Sequence, residues 1–274
     1  MPDSSPPPLV LTFAASDPTG GAGMQADLLT IAALGCHPLS VLTGFTVQDT
    51  RGVASLQPVD GAFVAAQARA LLADLPVRAF KLGVLATAEN AKAVAGILAE
   101  HPGVPVVLDP VLASGRGDAL ASDETIVALR EHLLARCTIV TPNSVEARRL
   151  AQRDDLGGCA RELLADGCRY VLITGTHEQS DAVVNVLYGP AGPGDASARV
   201  LRKDSWPRLP ATYHGSGCTL ASAIACALAR EEPIEKAVRQ AQQFTWNALR
   251  AGFRPGSGQH LPDRFFAGKD RHSC

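Results

Sequence analysis

Apolar runs of strand length alternate with amphipathic stretches of helix length along nearly the whole chain. Leu9–Ala14 reads as a strand, and Met24–Leu34 as a helix with Ala26, Leu29, Ala33 and Leu34 spaced for one face. Ser40–Val47 is a strand rich in β-branched residues, followed by a helix over Gly61–Leu72 and a strand over Ala79–Val84. The rhythm continues with a helix over Ala88–Ala99, a strand over Val104–Leu108, a helix over Asp123–Leu134 and a strand over Thr138–Thr141. Short helices near Val145–Ala151 and Ala160–Ala165 precede a strand over Tyr170–Ile173. Strands apolar on both faces, alternating with helices, imply a parallel sheet covered on both sides. The segment Asp181–Asp204, rich in Val, Gly and Pro, breaks the rhythm and predicts a hairpin or edge strands. Helices over Thr219–Ala229 and Ile234–Leu249 close the series. No internal repeat or long linker divides it. Residues 1–8, with four prolines, form a disordered lead-in, and residues 9–274 form one domain.

Composition narrows the function classes. Among 274 residues, 25 basic and 27 acidic side chains give a net charge of −2, which argues against nucleic acid as the main partner. No signal sequence and no run of about 18 apolar residues is present, so the expectation is a cytoplasmic protein with no membrane partner. Seven cysteines without a C-x-x-C pair fit neither a disulfide framework nor a zinc ribbon.

In an open α/β sheet, ligands lie beyond the carboxyl ends of the strands. Four loops there carry chemistry. In the first, Ser16-Asp17-Pro18-Thr19-Gly20-Gly21-Ala22-Gly23, three glycines let backbone approach a ligand. Gly21-Ala22-Gly23-Met24-Gln25-Ala26 also fits a dinucleotide fingerprint, with Asp49 the candidate for a ribose. In the second, Gln48 of Gln48-Asp49-Thr50-Arg51-Gly52 offers a donor and an acceptor suited to a heterocycle edge, or makes an ordinary polar turn. The third pairs Asp109, at the end of a buried strand, with Asn143 and Glu146 after the next. Their oxygens either gather Mg²⁺ or form a helix-capping pair. The fourth, Tyr213-His214-Gly215-Ser216-Gly217-Cys218-Thr219, precedes an apolar helix and predicts an anion pocket of backbone N–H groups. Cys218 falls in the first helical turn, where a thiol is expected to be more acidic than usual. His177, after Gly175-Thr176, faces a nucleotide or simply solvent.

These segments resemble, in order, the motifs of the hydroxymethylpyrimidine/phosphomethylpyrimidine kinases of thiamine biosynthesis. They are Ser16–Asp27, Gln48–Gly52, Lys81–Gly83, Val107–Val111, Thr141–Glu146 and His214–Thr219, and the resemblance runs from residue 9 to about 250. It implies a ribokinase-like α/β three-layer sandwich, with a central, mainly parallel sheet between helices on both faces, and a homodimer. It implies ATP and Mg²⁺ as cofactors, an aminopyrimidine alcohol and then its phosphate as substrates, and transfer of the γ-phosphoryl to the hydroxymethyl group. By the same resemblance, Cys218 takes the hydroxymethyl proton or orients that hydroxyl, and the amides of Gly215, Ser216, Gly217 and Cys218 form the anion hole. Gln48, Ala22, Gly21 and Val84 contact the ring. Asn143, Glu146, Thr174 and His177 lie on the nucleotide side, and Asp109 and Glu146 serve the metal. Asp27 is expected to be structural.

The chain departs from the family's pattern at Val84, where a methionine is common. It departs again at Ala113–Asp118, including Arg116, and at Thr174-Gly175-Thr176-His177 in place of Lys-Gly-Gly-His. These changes leave room for a pyridoxal or pyridoxine kinase of the same fold. From other classes come a nicotinamide-binding oxidoreductase and a non-catalytic binding module. The oxidoreductase does not account for the anion pocket before Cys218 or the acid at Glu146, and a binding module is expected to lose a reactive group, whereas Cys218 is present.

Overall fold

The computed structural model describes residues 6–114, 117–192 and 195–269. Residues 1–5 of the lead-in, with Gly115 and Arg116, lie outside that range. Pro8 already joins the fold, its carbonyl accepting the N–H of His37 at 2.9 Å.

The strands are β1 (Leu9–Ser16), β2 (His37–Gln48), β3 (Val53–Pro58), β4 (Val77–Leu82), β5 (Val106–Leu108), β6 (Ile139–Val140), β7 (Tyr170–Ile173), β8 (Ala182–Gly192) and β9 (Asp195–Pro207). They form one sheet in the order β3-β2-β1-β4-β5-β6-β7-β8-β9. From β2 to β7 the pairings are parallel. Antiparallel pairs finish both edges. The helices are α1 (Gly23–Ala33), α2 (Gly61–Leu72), α3 (Ala88–Glu100), α4 (Asp123–Ala128), α5 (Ser144–Ala151), α6 (Leu156–Ala165), α7 (Ser216–Ala229), α8 (Ile234–Arg250) and α9 (Phe266–Lys269).

Strand alternation builds two cores from one sheet. Leu11, Phe13, Phe80, Leu82, Val106, Leu108 and Val140 face residues of α2, α3, α4, α5 and α6. Their neighbours Val10, Ala79, Val107, Ile139 and Leu172 face α1, α7 and α8. Side chains pointing alternately to opposite faces of buried strands account for the continuous apolar runs in the sequence. This is the three-layer, mainly parallel arrangement that the resemblance implies.

Three segments differ in detail from the sequence reading. β3 is legible only through its partner: Ala54, Ser55 and Gln57 are exposed, and the strand exists by pairing with β2. The helix expected over Asp123–Leu134 leaves α geometry after Ala128, widening through a π turn (Leu129–Leu133) and tightening into a 3₁₀ turn (Leu134–Arg136). Across this change of winding Leu133 and Leu134 both stay fully buried. The segment Asp181–Asp204 is the β8–β9 hairpin, extended to Pro207.

The chain runs from β1 to β2 on one side and later to β4 on the other. The sheet's order thus reverses beside β1, where loops from both halves open a crevice.

Candidate active site

The first loop folds around Asp17. Its Oδ1 accepts the backbone N–H and the hydroxyl of Thr19, both at 2.8 Å, and its Oδ2 accepts the N–H of Ala22 at 2.7 Å. Burial alone would raise this carboxyl, but hydrogen bonds from His214, Ala22 and Thr19 outweigh it and hold Asp17 below the usual carboxylate range. Asp49 does not face a ribose. It is exposed and closes its own turn, accepting the Arg51 guanidinium at 2.7 Å.

The fourth loop meets the first. Gly215 has φ +85°, and a Cβ there would lie 1.8 Å from the carbonyl oxygen of Gly21. Only glycine permits that backbone contact. Arg264, buried although charged, fastens the junction by donating to the carbonyls of Gly21 (2.6 Å) and Gly20 (3.3 Å) and to the Thr219 hydroxyl (3.2 Å). The sequence reading missed it. A lone arginine in Leu261-Pro262-Asp263-Arg264-Phe265 carries no motif, and its role depends on contacts more than 200 residues away. No side chain caps the start of α7, so its first N–H groups stand ready for an anion.

Beneath the loops lies a buried polar floor. Lys81 Nζ sits 2.9 Å from Asp27, and both are inaccessible to water. Asp27 also accepts the hydroxyls of Thr12 (2.6 Å) and Ser222 (2.8 Å). Burial disfavours the ammonium, yet the charge of Asp27, with smaller contributions from Cys218 once ionised and from Asp109, outweighs it and pushes Lys81 above the usual lysine range. The structural expectation for Asp27 fits these contacts.

Asp109 follows β5, with its carboxylate facing Gly217, where a Cβ would stand 3.4 Å from each of its oxygens. Burial raises it to about 6 despite Lys81, and its Oδ2 has no hydrogen-bond partner. Glu146 is pushed up to about 8 by burial and by Asp109. The capping pair is formed: Asn143 Oδ1 accepts the N–H groups of Val145 and Glu146, and Glu146 Oε2 accepts the N–H of Asn143 at 2.9 Å. Cap and acidic cluster coexist, because Glu146 reaches back over the helix start towards Asp109.

Cys218 requires a correction. Its position in the first turn of α7 predicts an acidic thiol, but burial pushes it up to about 12, and Asp109 and Asp27 add to the effect of burial. Lys81 and the backbone at Gly23 oppose this without reversing it. At neutral pH the group is a thiol beside the Asp109 carboxyl.

One cavity of about 480 Å³ joins these parts. Ala22, Gln48, Val84, Asp109, Asn143, Glu146, Thr174, His177 and Gly215–Cys218 all line it. Gly21 does not line it and packs instead towards Leu261 and His214. Thr174 binds the start of α5 through its carbonyl, which accepts the Ser144 N–H at 3.0 Å. His177 stands exposed at the rim on a loop shaped by Arg208, whose guanidinium donates to the carbonyls of Thr176, Glu178 and Ser180 at 2.9–3.0 Å. Trp206 and Trp246, stacked with ring centroids 6.2 Å apart, supply aromatic wall beside Leu220 and Leu249. Neither Arg208 nor the tryptophan pair was singled out in the sequence, since each depends on where the β8–β9 hairpin lands.

Residues 17–263 match a family model described as phosphomethylpyrimidine kinase. A hydroxymethylpyrimidine/phosphomethylpyrimidine kinase of Streptomyces coelicolor is 41% identical over 261 residues, 92% of each chain. The thiamine biosynthesis bifunctional protein of Geobacter sulfurreducens is 38% identical over 267 residues, 95% of this chain and 53% of that one. Among solved structures, a pyridoxal kinase from Staphylococcus aureus in complex with AMP-PCP and pyridoxal superposes with a TM-score of 0.82. It is 26% identical, and the match covers 96% of both chains.

Proposed function

The chain belongs to the phosphomethylpyrimidine kinase family, and we propose on that premise that it transfers the γ-phosphoryl of ATP to the hydroxymethyl group of 4-amino-5-hydroxymethyl-2-methylpyrimidine. It then phosphorylates the monophosphate to the diphosphate, in thiamine biosynthesis. The carrying observation is that one cavity is lined by Gln48, the uncapped start of α7 and the Asp109–Glu146 pair together. The ring sits by Gln48, Ala22 and Val84. The transferring phosphoryl lies against the N–H groups of Gly215 to Cys218, where fixed dipoles stabilise developing charge. The nucleotide extends past Thr174 and His177 towards Trp206 and Trp246.

Phosphoryl transfer through a loose transition state demands little deprotonation of the attacking hydroxyl. A thiol pushed up to about 12 suits that demand. Cys218 holds and orients the hydroxyl rather than stripping it.

Mg²⁺ fits the acidic pair. Asp109 carries a buried oxygen without a partner, and Glu146 is raised partly by its negative neighbour, a conflict that a divalent cation removes. Asp109 and Glu146 would hold the ion, with phosphate and water completing its shell. When bound, Mg²⁺ neutralises charge on the phosphates. The family resemblance, with Phe45 and Val47 left half-exposed or more on β2, supports a homodimer. The proposed location is the cytoplasm, and among the described residues no helix is long and apolar enough to cross a membrane.

The test is product analysis by mass after incubation with ATP, Mg²⁺ and either the pyrimidine alcohol or pyridoxal. Pyrimidine monophosphate and then diphosphate should form, with kcat/KM at least about tenfold above that for pyridoxal, the discrimination expected of a few pocket contacts. The reverse ratio would reassign the chain as a pyridoxal kinase.

A further inference from the structure

Three loops meet at one imidazole nitrogen. Nε2 of His214 lies 2.9 Å from Oδ2 of Asp17 and 3.1 Å from the amide nitrogen of Gln48. His214 precedes α7, Asp17 follows β1, and Gln48 ends β2. A ring nitrogen carries either a proton or a lone pair, never both. The two contacts therefore compete, since a carboxylate only accepts and an amide NH₂ only donates.

Asp17 decides the contest. It already takes the N–H and hydroxyl of Thr19 and the N–H of Ala22, and a set of donors around both oxygens suits an ionised carboxylate. Being 2% exposed, it has almost no water to turn to. Nε2 consequently carries the proton and donates to Asp17, whether or not the other ring nitrogen is protonated. An amide NH₂ has nothing to offer that N–H. A half-turn of the Gln48 amide exchanges its oxygen and nitrogen without changing its shape. It brings Oε1 against Nε2–H, which Asp17 and Gln48 then share as a three-centre hydrogen bond, and delivers the NH₂ to the cavity that both residues line.

We propose that Asp17 and His214 are positioning residues that lock the Gln48 amide with its oxygen held inward and its NH₂ facing the substrate. This wall then offers a heterocycle a donor only, not the donor–acceptor pair of a free glutamine. The edge it binds must bring an acceptor, the in-plane lone pair of an unprotonated ring nitrogen, and an exocyclic amine is turned away from Gln48. For its substrate the inference rests on the function proposed above; for the state of the imidazole it does not.

The experiment has two arms. Nitrogen-15 NMR of the labelled free protein should show His214 Nε2 protonated at neutral pH, the signal being assigned by its loss in His214→Gln. A neutral imidazole protonated only on Nδ1 would overturn the proposal, whatever the substrate proves to be. In kinetics, His214→Leu should raise KM for the pyrimidine alcohol about tenfold, the scale of one lost hydrogen bond in a buried site. KM for ATP should not follow. His214→Gln, whose amide N–H reaches about as far as Nε2, should recover most of the loss. An unchanged pyrimidine KM in His214→Leu, or an equal rise for ATP, would remove the positioning role. Wild-type protein inert towards the pyrimidine would count against the kinase reading, and the nitrogen spectrum would still decide the imidazole's state.

Discussion

Position and environment disagree at Cys218. A cysteine in the first turn of a helix gains from the helix dipole, and this much is visible in Gly215-Ser216-Gly217-Cys218. What the sequence hides is that burial, with Asp109 and Asp27 adding to it from distant parts of the chain, raises the thiol to about 12. The kinetic consequence is specific. Cys218→Ala should lower kcat by about tenfold through lost orientation, not by the roughly 10²–10⁴-fold that removal of a general base costs. The acid side of the pH–kcat profile should belong to the carboxylates instead. Glu146 and Asp109 are raised to about 8 and about 6, so each loses its charge as pH falls through those values. Activity at low Mg²⁺ should decline over that range in wild type and Cys218→Ala alike. Saturating Mg²⁺ should move the decline to lower pH, because the cation favours the charged forms. A limb at alkaline pH that vanishes in Cys218→Ala would restore the thiolate mechanism.

At the scale of elements, the Lys81–Asp27 pair ties four pieces of the fold at one point: β1 through Thr12, α1 through Asp27, β4 through Lys81 and α7 through Ser222. The two helices whose starts bear the glycine loops are thus held in register from below. Removing one partner strands a buried charge. Lys81→Met should cost about 3–5 kcal/mol in urea unfolding, and Lys81→Met combined with Asp27→Leu should recover most of it, since a well-packed apolar pair replaces an ion pair at little net cost. If the double variant is no more stable than the single one, the hydroxyls of Thr12 and Ser222 matter more than the charge. The elements themselves were largely legible: α2 and β7 coincide with the stretches their apolar spacing predicts. β3 was not, because an exposed strand shows little pattern until β2 pairs with it. Lys81 and Asp27 could be quoted from their motifs, but their pairing needs the three-dimensional register of β4 beside β1.

For the molecule as a whole, the repeating strand–helix order conveyed the sheet and the end at which loops would cluster. The resemblance conveyed the order of motifs. What neither supplied was how the cavity is walled, because Arg208 and the tryptophan pair line it, and Arg264 braces the loops beside it, from the C-terminal third of the chain. The resulting cavity has two walls on opposite sides of the sheet's centre: Gln48 on β2, second from one edge, and Trp206 on β9 at the other, with Trp246 of α8 stacked on it. If ring and nucleotide occupy those walls separately, each should be weakened alone. Gln48→Ala should raise KM for the pyrimidine alcohol about tenfold and leave KM for ATP nearly unchanged, the size expected when a buried polar edge loses its partner. Trp246→Ala should do the reverse, through lost aromatic contact area. Sites that share no partner act independently, so in the double variant each KM should rise by its single-variant factor to within about a factor of two. Steady-state kinetics with each substrate varied in turn reads all three values. A Trp246→Ala variant that weakens the pyrimidine and spares ATP would place the nucleotide elsewhere in the cavity and reverse the proposed direction of transfer along it.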